Sequence, residues 1–128
     1  MKKILIIDDD DVFVKTLSDS LSKEKYIVVR AQDGEDGLEK IEKEKPDIII
    51  LDLIMPKMGG LDFLKALKNK NKEGNQNIPI LISSQLSKMK DISEGVVLGM
   101  DVGVKGYIVK ASESMEMIVK NIERTLET

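Results

Sequence analysis

Short, unbroken apolar runs that alternate with stretches of helical spacing constrain this chain more than any other feature. Ile4-Leu5-Ile6-Ile7, Ile48-Ile49-Ile50-Leu51 and Ile80-Leu81-Ile82 have no polar residue to turn toward water. Strands of that kind are covered on both faces, as in a parallel sheet with helices on either side. Two weaker runs, Tyr26 to Val29 and Tyr107 to Val109, bring the count of strands to five. Between them, apolar residues recur near helical spacing: Val12, Leu17 and Leu21; Leu38 and Ile41; Leu61, Leu64 and Leu67; Ile92 to Met100; and Met115, Ile118, Ile122 and Leu126. Asp33-Gly34, Pro56 and Gly59-Gly60 punctuate the loops, and Asn69 to Asn77 reads as a polar loop.

The pattern is five βα units in one α/β domain spanning residues 1–128. A domain of this length buries roughly two thirds of its unfolded surface, enough for one ordinary core. Right-handed crossovers leave few topologies. The expected one is a five-stranded, doubly wound parallel sheet of flavodoxin-like order 2-1-3-4-5, with its switch point between strands 1 and 3. Ligands of such sheets bind beyond the carboxyl ends of the strands, so function is to be sought in the residues just after each strand.

Composition narrows the chemistry. There are no cysteines and no histidines, which removes disulfides, thiolate nucleophiles, histidine-ligated zinc and an internal phosphohistidine donor. Lys plus Arg number 20 against 23 Asp plus Glu, a net charge of −3, which argues against direct nucleic-acid binding. The apolar runs are too short to span a bilayer, and the one after Met1-Lys2-Lys3 ends at Asp8, too soon for a signal peptide. The expectation is a cytoplasmic protein with no membrane partner.

Asp8 to Asp11 follow strand 1, Asp52 follows strand 3, Ser83-Ser84 follow strand 4 and Lys110 follows strand 5. If strands 1 and 3 are neighbours, Asp8, Asp9 and Asp52 converge. Crowded carboxylates resist ionisation unless cations offset them. Mg²⁺, which takes oxygen ligands and keeps room for a phosphate, would do so. Lys110 would add a compact charge for a phosphate oxygen, and Ser84 a hydroxyl. A carboxylate can itself be the nucleophile, giving an aspartyl phosphate by in-line transfer. Plainer readings stand beside these. Asp10 and Asp11 suit helix capping, Asp52 a turn, Ser84 a turn hydroxyl and Lys110 a solvated surface. Four such residues at the ends of four separate strands are harder to explain that way.

These residues carry a resemblance. Ile4 to Asp9, Pro46 to Gly60 (PDIIILDLIMPKMGG), Ile78 to Ser84 (IPILISS) and Gly106 to Lys110 (GYIVK) occur in the order found in receiver domains of two-component response regulators, and the chain resembles that family over nearly its full length. The resemblance implies a phosphoacceptor switch, not an enzyme with a separate substrate, that promotes its own phosphorylation and dephosphorylation. Asp52 would be the phosphoacceptor. Asp8, Asp9, Asp52 and the Ile54 backbone carbonyl would hold Mg²⁺. Lys110, at the mouth of the pocket and outside the core, would complete the site. Ser84 would be the switch hydroxyl and Tyr107 the aromatic that moves inward with it. The partners implied are a sensor histidine kinase or phosphotransfer protein, and a downstream protein or fused output domain; a weak homodimer on phosphorylation is a further expectation. Strand 5 and the last helix would form the partner-facing side.

Several features depart from the family pattern. Ala111 stands where proline usually follows the lysine, Gln85 where a small residue is usual, and the span from Ser84 to Lys110 is several residues long. Ile54 and Leu86, two after the phosphoacceptor and two after the switch hydroxyl, are both apolar, and neither can orient an attacking water. A slowly decaying phosphorylated state is expected. Three rivals remain at this level, one of them a pseudo-receiver that only binds partners, against which the intact acid pocket speaks. Asp8-x-Asp10-x-Val12 also fits a haloacid-dehalogenase-like phosphatase with Asp8 as nucleophile and Asp10 as acid/base, although no acidic pair follows Lys110. A flavodoxin-like electron carrier shares the topology, but four acids would repel a flavin phosphate.

Overall fold

A computed structural model describes residues 1–71, 78–84 and 102–127. Their elements in chain order are β1 (Lys2–Ile7), α1 (Asp11–Ser20), β2 (Tyr26–Ala31), α2 (Gly34–Glu44), β3 (Ile48–Asp52), α3 (Gly60–Asn71), β4 (Ile80–Ser84), β5 (Val104–Val109) and, last, α4 (Met115–Glu127). The five strands form one parallel sheet in the order β2-β1-β3-β4-β5, as the sequence predicts. The expected helix over Ile92 to Met100, and Gln85 and Leu86, lie outside the described residues.

The continuous apolar strands bury both of their faces. Ile4 to Ile7 and Ile48 to Leu51 are all fully buried. Leu5, Ile7, Ile49, Leu51, Ile80 and Ile82 pack with Phe63, Leu64 and Leu67 of α3. The alternate residues Ile4, Ile6, Ile48, Ile50, Leu81 and Ile108 pack with Phe13, Val14 and Leu17 of α1 and Ile118 and Ile122 of α4. Alternation along a strand therefore divides the core into two layers, one on each side of the sheet.

Helices α1 and α2 start on acidic caps. Asp10 accepts from the Val12 and Phe13 N–H groups at 3.1 and 3.2 Å, fixing where α1 begins. That start sets the phase of the helix: Phe13, Val14 and Leu17 face the sheet, while Val12, expected on the buried side, is 76% exposed. Asp33 caps α2 by accepting from Asp36 N–H, and the Asp36 carboxylate reaches back to Gln32 N–H. Helix α3 runs on to Asn71, so the segment expected to be a loop from Asn69 begins as helix. Strand β2 reaches Ala31 and β5 starts at Val104, both longer than their apolar runs suggest. A register shift between Ile80 and Leu81 takes up the extra residue of β5.

Candidate functional site

Register brings the acids together. Ile7 pairs with Leu51, so the next residues, Asp8 and Asp52, leave neighbouring strands side by side at the carboxyl edge of the sheet. Carboxylate oxygens of Asp8, Asp9 and Asp52 all lie within 4.8 Å of one another. Asp8 is fully buried, Asp52 nearly so, and Asp9 is exposed. The cluster thus opens to solvent on the Asp9 side.

Lys110 enters from β5 across the sheet. Its ammonium lies 2.7 Å from Asp8 Oδ2 and 3.7 Å from Asp52 Oδ2. It also stands 4.4 Å from the centre of the Phe13 ring, within cation–π range. Its side chain is only 8% exposed. The lysine expected at the mouth of the pocket is therefore inside it, because the Phe13 ring and two carboxylates together offset the desolvation of the ammonium. Its backbone N–H donates to the Ser84 carbonyl at 3.0 Å, which fixes the root of the side chain to β4. The described peptide bonds are all trans, including the one before Ala111.

Each carboxylate is held from the backbone as well. Asp8 Oδ1 accepts from Asp10 N–H at 2.9 Å, and Asp52 Oδ1 from Ile54 N–H at 3.3 Å. Asp8 Oδ2 is buried and has no aligned hydrogen-bond donor, even with the Lys110 ammonium 2.7 Å away. Burial, and then the neighbouring Asp8 charge, push the Asp52 carboxyl up from the usual 3.8 to about 7, against a smaller lowering by Lys110. One cation does not neutralise two buried acids, and an under-bonded buried oxygen remains. A hard divalent cation fits this donor set.

Two contributors were not singled out from sequence. Arg30, paired with Ile6 in the register, donates through Nε to the Asp8 carbonyl at 3.1 Å and through Nη2 to Asp11 at 2.7 Å. It clamps the acidic loop to β2. Phe13 supplies the ring beside Lys110. The signal for Arg30 was a lone cation ending an apolar strand next to strand 1; Phe13 had only helical phase to mark it. Ser84 is buried at the end of β4, and Tyr107, on β5, is 47% exposed. Asp10 and Asp11 have the structural roles that suit helix starts: a cap and an ion pair.

Comparison with known proteins decides the family. The family model for the response regulator receiver domain matches residues 4–123. The chain belongs to this family. It is 36% identical over 116 residues to the alkaline phosphatase synthesis transcriptional regulatory protein PhoP of Bacillus subtilis, covering 91% of this chain and 45% of that protein. It is also 36% identical over 129 residues to the protein-glutamate methylesterase/protein-glutamine glutaminase of the same organism, covering 98% of this chain and 34% of the relative. Most of the curated relatives it matches are about twice its length. Among solved structures, the chemotaxis response regulator CheY4 of Vibrio cholerae superimposes with a TM-score of 0.80 at 30% identity over 98% of both chains. A response regulator of Chloroflexus aurantiacus gives 0.83 at 26% identity, covering 99% of this chain and 98% of that one. Receiver domains are phosphorylation-based signalling modules, so the phosphatase and electron-carrier readings are set aside. Asp10, the acid/base of the phosphatase reading, is already committed to capping α1. Among the described residues of this receiver, no helix is long and apolar enough to cross a membrane.

Proposed function

We propose that this receiver takes a phosphoryl group from a phosphohistidine onto Asp52, in the cytoplasm, and passes the signal on through a change of packing. A carboxylate oxygen of Asp52 attacks phosphorus, the phosphorus–nitrogen bond breaks, and the departing imidazole keeps the electron pair. The observation that carries the reading is the position of Lys110, whose ammonium is within ion-pair distance of both buried carboxylates, 2.7 and 3.7 Å away. In this reading the ammonium offsets the charge arriving on the phosphoryl oxygens.

Asp8, Asp9, Asp52 and the Ile54 carbonyl are the proposed Mg²⁺ ligands. The bound ion would neutralise phosphoryl oxygens during transfer. Asp9, on the open side, leaves room for a donor to approach. Arg30 keeps the loop that carries Asp8 and Asp9 against β2, which spares the site from ordering that loop at each encounter.

Ser84 is the proposed switch hydroxyl, and Tyr107 its partner in the change of packing. Tyr107 is outward in this structure, and Met117 of α4 is 54% exposed on the element packed after β5. A partner would read this side. One of the structural relatives is a phosphorylated cyanobacterial phytochrome response regulator, RcpA, similar over 99% of this chain at 27% identity, with a TM-score of 0.79. That such a state exists in a relative supports the reading. The test is relay from a phosphorylated histidine kinase or phosphotransfer protein. Radiolabel should pass to the wild-type chain and not to Asp52→Asn; equal labelling of both overturns the assignment.

A further inference from the structure

Ser83 is left over by the roles assigned so far. Its side chain is fully buried and its hydroxyl has no hydrogen-bond partner. Buried hydroxyls nearly always have one. The sheet register says where this hydroxyl lies. Ser83 pairs with Asp52 on one side and with Ile108 on the other. Residues in register on parallel strands share a face. Ile108 belongs to the core layer that holds Phe13, and alternation puts Lys110 on the same face.

The path of the lysine passes that point. From β5, Lys110 reaches Asp8 beyond β1 only by crossing β4 and β3. Ser83 stands on β4, on the face that is crossed, one strand from Asp52. Lys110 has three N–H donors, and Asp8 is the nearer of its two carboxylate partners, at 2.7 Å, in poor alignment. A hydroxyl can accept from an ammonium; an apolar side chain at this position offers nothing.

We propose that Ser83 is a positioning residue whose hydroxyl gives the Lys110 ammonium a second acceptor as it moves from Asp8 toward the phosphoryl group on Asp52. The inference rests on the reading of Asp52 as phosphoacceptor. The hydroxyl is unpartnered in the resting arrangement because its partner arrives only when the ammonium moves. A hydroxyl kept for packing would be bonded in the resting state, and its loss would weaken the fold.

That contrast sets the experiment. Ser83→Ala and Ser83→Thr are compared with wild type by urea denaturation without metal, and by the rate of phosphorylation with acetyl phosphate and Mg²⁺, read by intact mass. Ser83→Ala is expected to keep or raise the urea midpoint and to slow phosphorylation on the order of tenfold, the scale of a lost positioning contact. Ser83→Thr, which retains the hydroxyl, should recover most of the rate. In a Lys110→Met background, which keeps the stem and removes the charge, Ser83→Ala should have no further effect. A wild-type rate in Ser83→Ala, or the same slowing with and without Lys110, overturns the proposal. Wild-type labelling of Asp52→Asn would instead overturn the parent reading, and shows in a different variant.

Discussion

The Lys110 ammonium sits a full ångström closer to Asp8 than to Asp52, 2.7 Å against 3.7 Å. The acid proposed to receive the phosphoryl group is thus the less neutralised of the two, and it is the one whose carboxyl is pushed up to about 7. In this arrangement the cation is held on the Asp8 side of the pocket.

Removing that cation should cost the fold as well as the chemistry. Lys110→Ala leaves two buried carboxylates facing each other, and loss of one partner of a buried pair typically costs about 3 kcal/mol. A lower urea midpoint in metal-free protein is expected, with part of the loss recovered when Mg²⁺ is added. A midpoint unchanged from wild type would mean that the buried pair contributes nothing.

The pH dependence of stability follows from Asp52. Its folded carboxyl is raised from 3.8 to about 7, so its contribution is fully present below the unfolded value and is lost as pH rises through the folded one. Metal-free wild type should therefore lose stability between about pH 4 and pH 7 relative to Asp52→Asn, which has no charge to bury. After discounting for solvent access on the Asp9 side, the difference is about 2 kcal/mol at pH 8 and near zero at pH 4. Denaturation of both proteins with chelator at the two pH values measures it. A gap that does not change with pH contradicts the shift.

Two adjacent glycines should respond differently to a methyl group. A Cβ on Gly60 would lie 2.5 Å from the Asp52 carbonyl oxygen and 2.6 Å from Leu53 Cα, both backbone atoms that cannot swing aside. On Gly59 the nearest contact is 3.4 Å, from the Leu53 carbonyl oxygen. Gly60→Ala should destabilise the protein by about 2 kcal/mol or more and disturb Asp52, while Gly59→Ala should cost well under half of that. Thermal melting of the pair decides, and equal losses would show that the loop yields.

The lifetime of the phosphorylated state should respond to Ile54. Its side chain is apolar and half exposed, two residues past Asp52, and has no group to align a water. Ile54→Asn should speed loss of the phosphoryl group several-fold, on the scale of supplying one oriented hydrogen bond. Decay is followed after donor removal with Mg²⁺ present, and an unchanged rate would show that another feature controls the water.

The sheet and the strand-end acids were legible because they depend on unbroken apolar runs and on what directly follows them. Ile4 to Ile7 must be covered on both faces, and Asp8 can then only emerge at the sheet edge. Less legible were features set by phase and path. Val12 and Phe13 are both apolar neighbours, and only the Asp10 cap decides which one turns inward. Lys110 reads as a lysine at the mouth of the pocket until the Phe13 ring and Asp8 are seen to receive it. Ser83, beside Ser84, reads as part of a polar turn, whereas the register puts it inside the sheet. Arg30 emerges as a clamp only once β2 is seen to extend to Ala31.

The most direct measurement is intact mass and peptide mapping after exposure to acetyl phosphate. Wild type with Mg²⁺ should gain one phosphoryl group, mapped to Asp52. Wild type with chelator, and Asp52→Asn with Mg²⁺, should gain none. A phosphoryl group of equal yield in Asp52→Asn, or one in wild type that does not depend on the metal, would contradict the account.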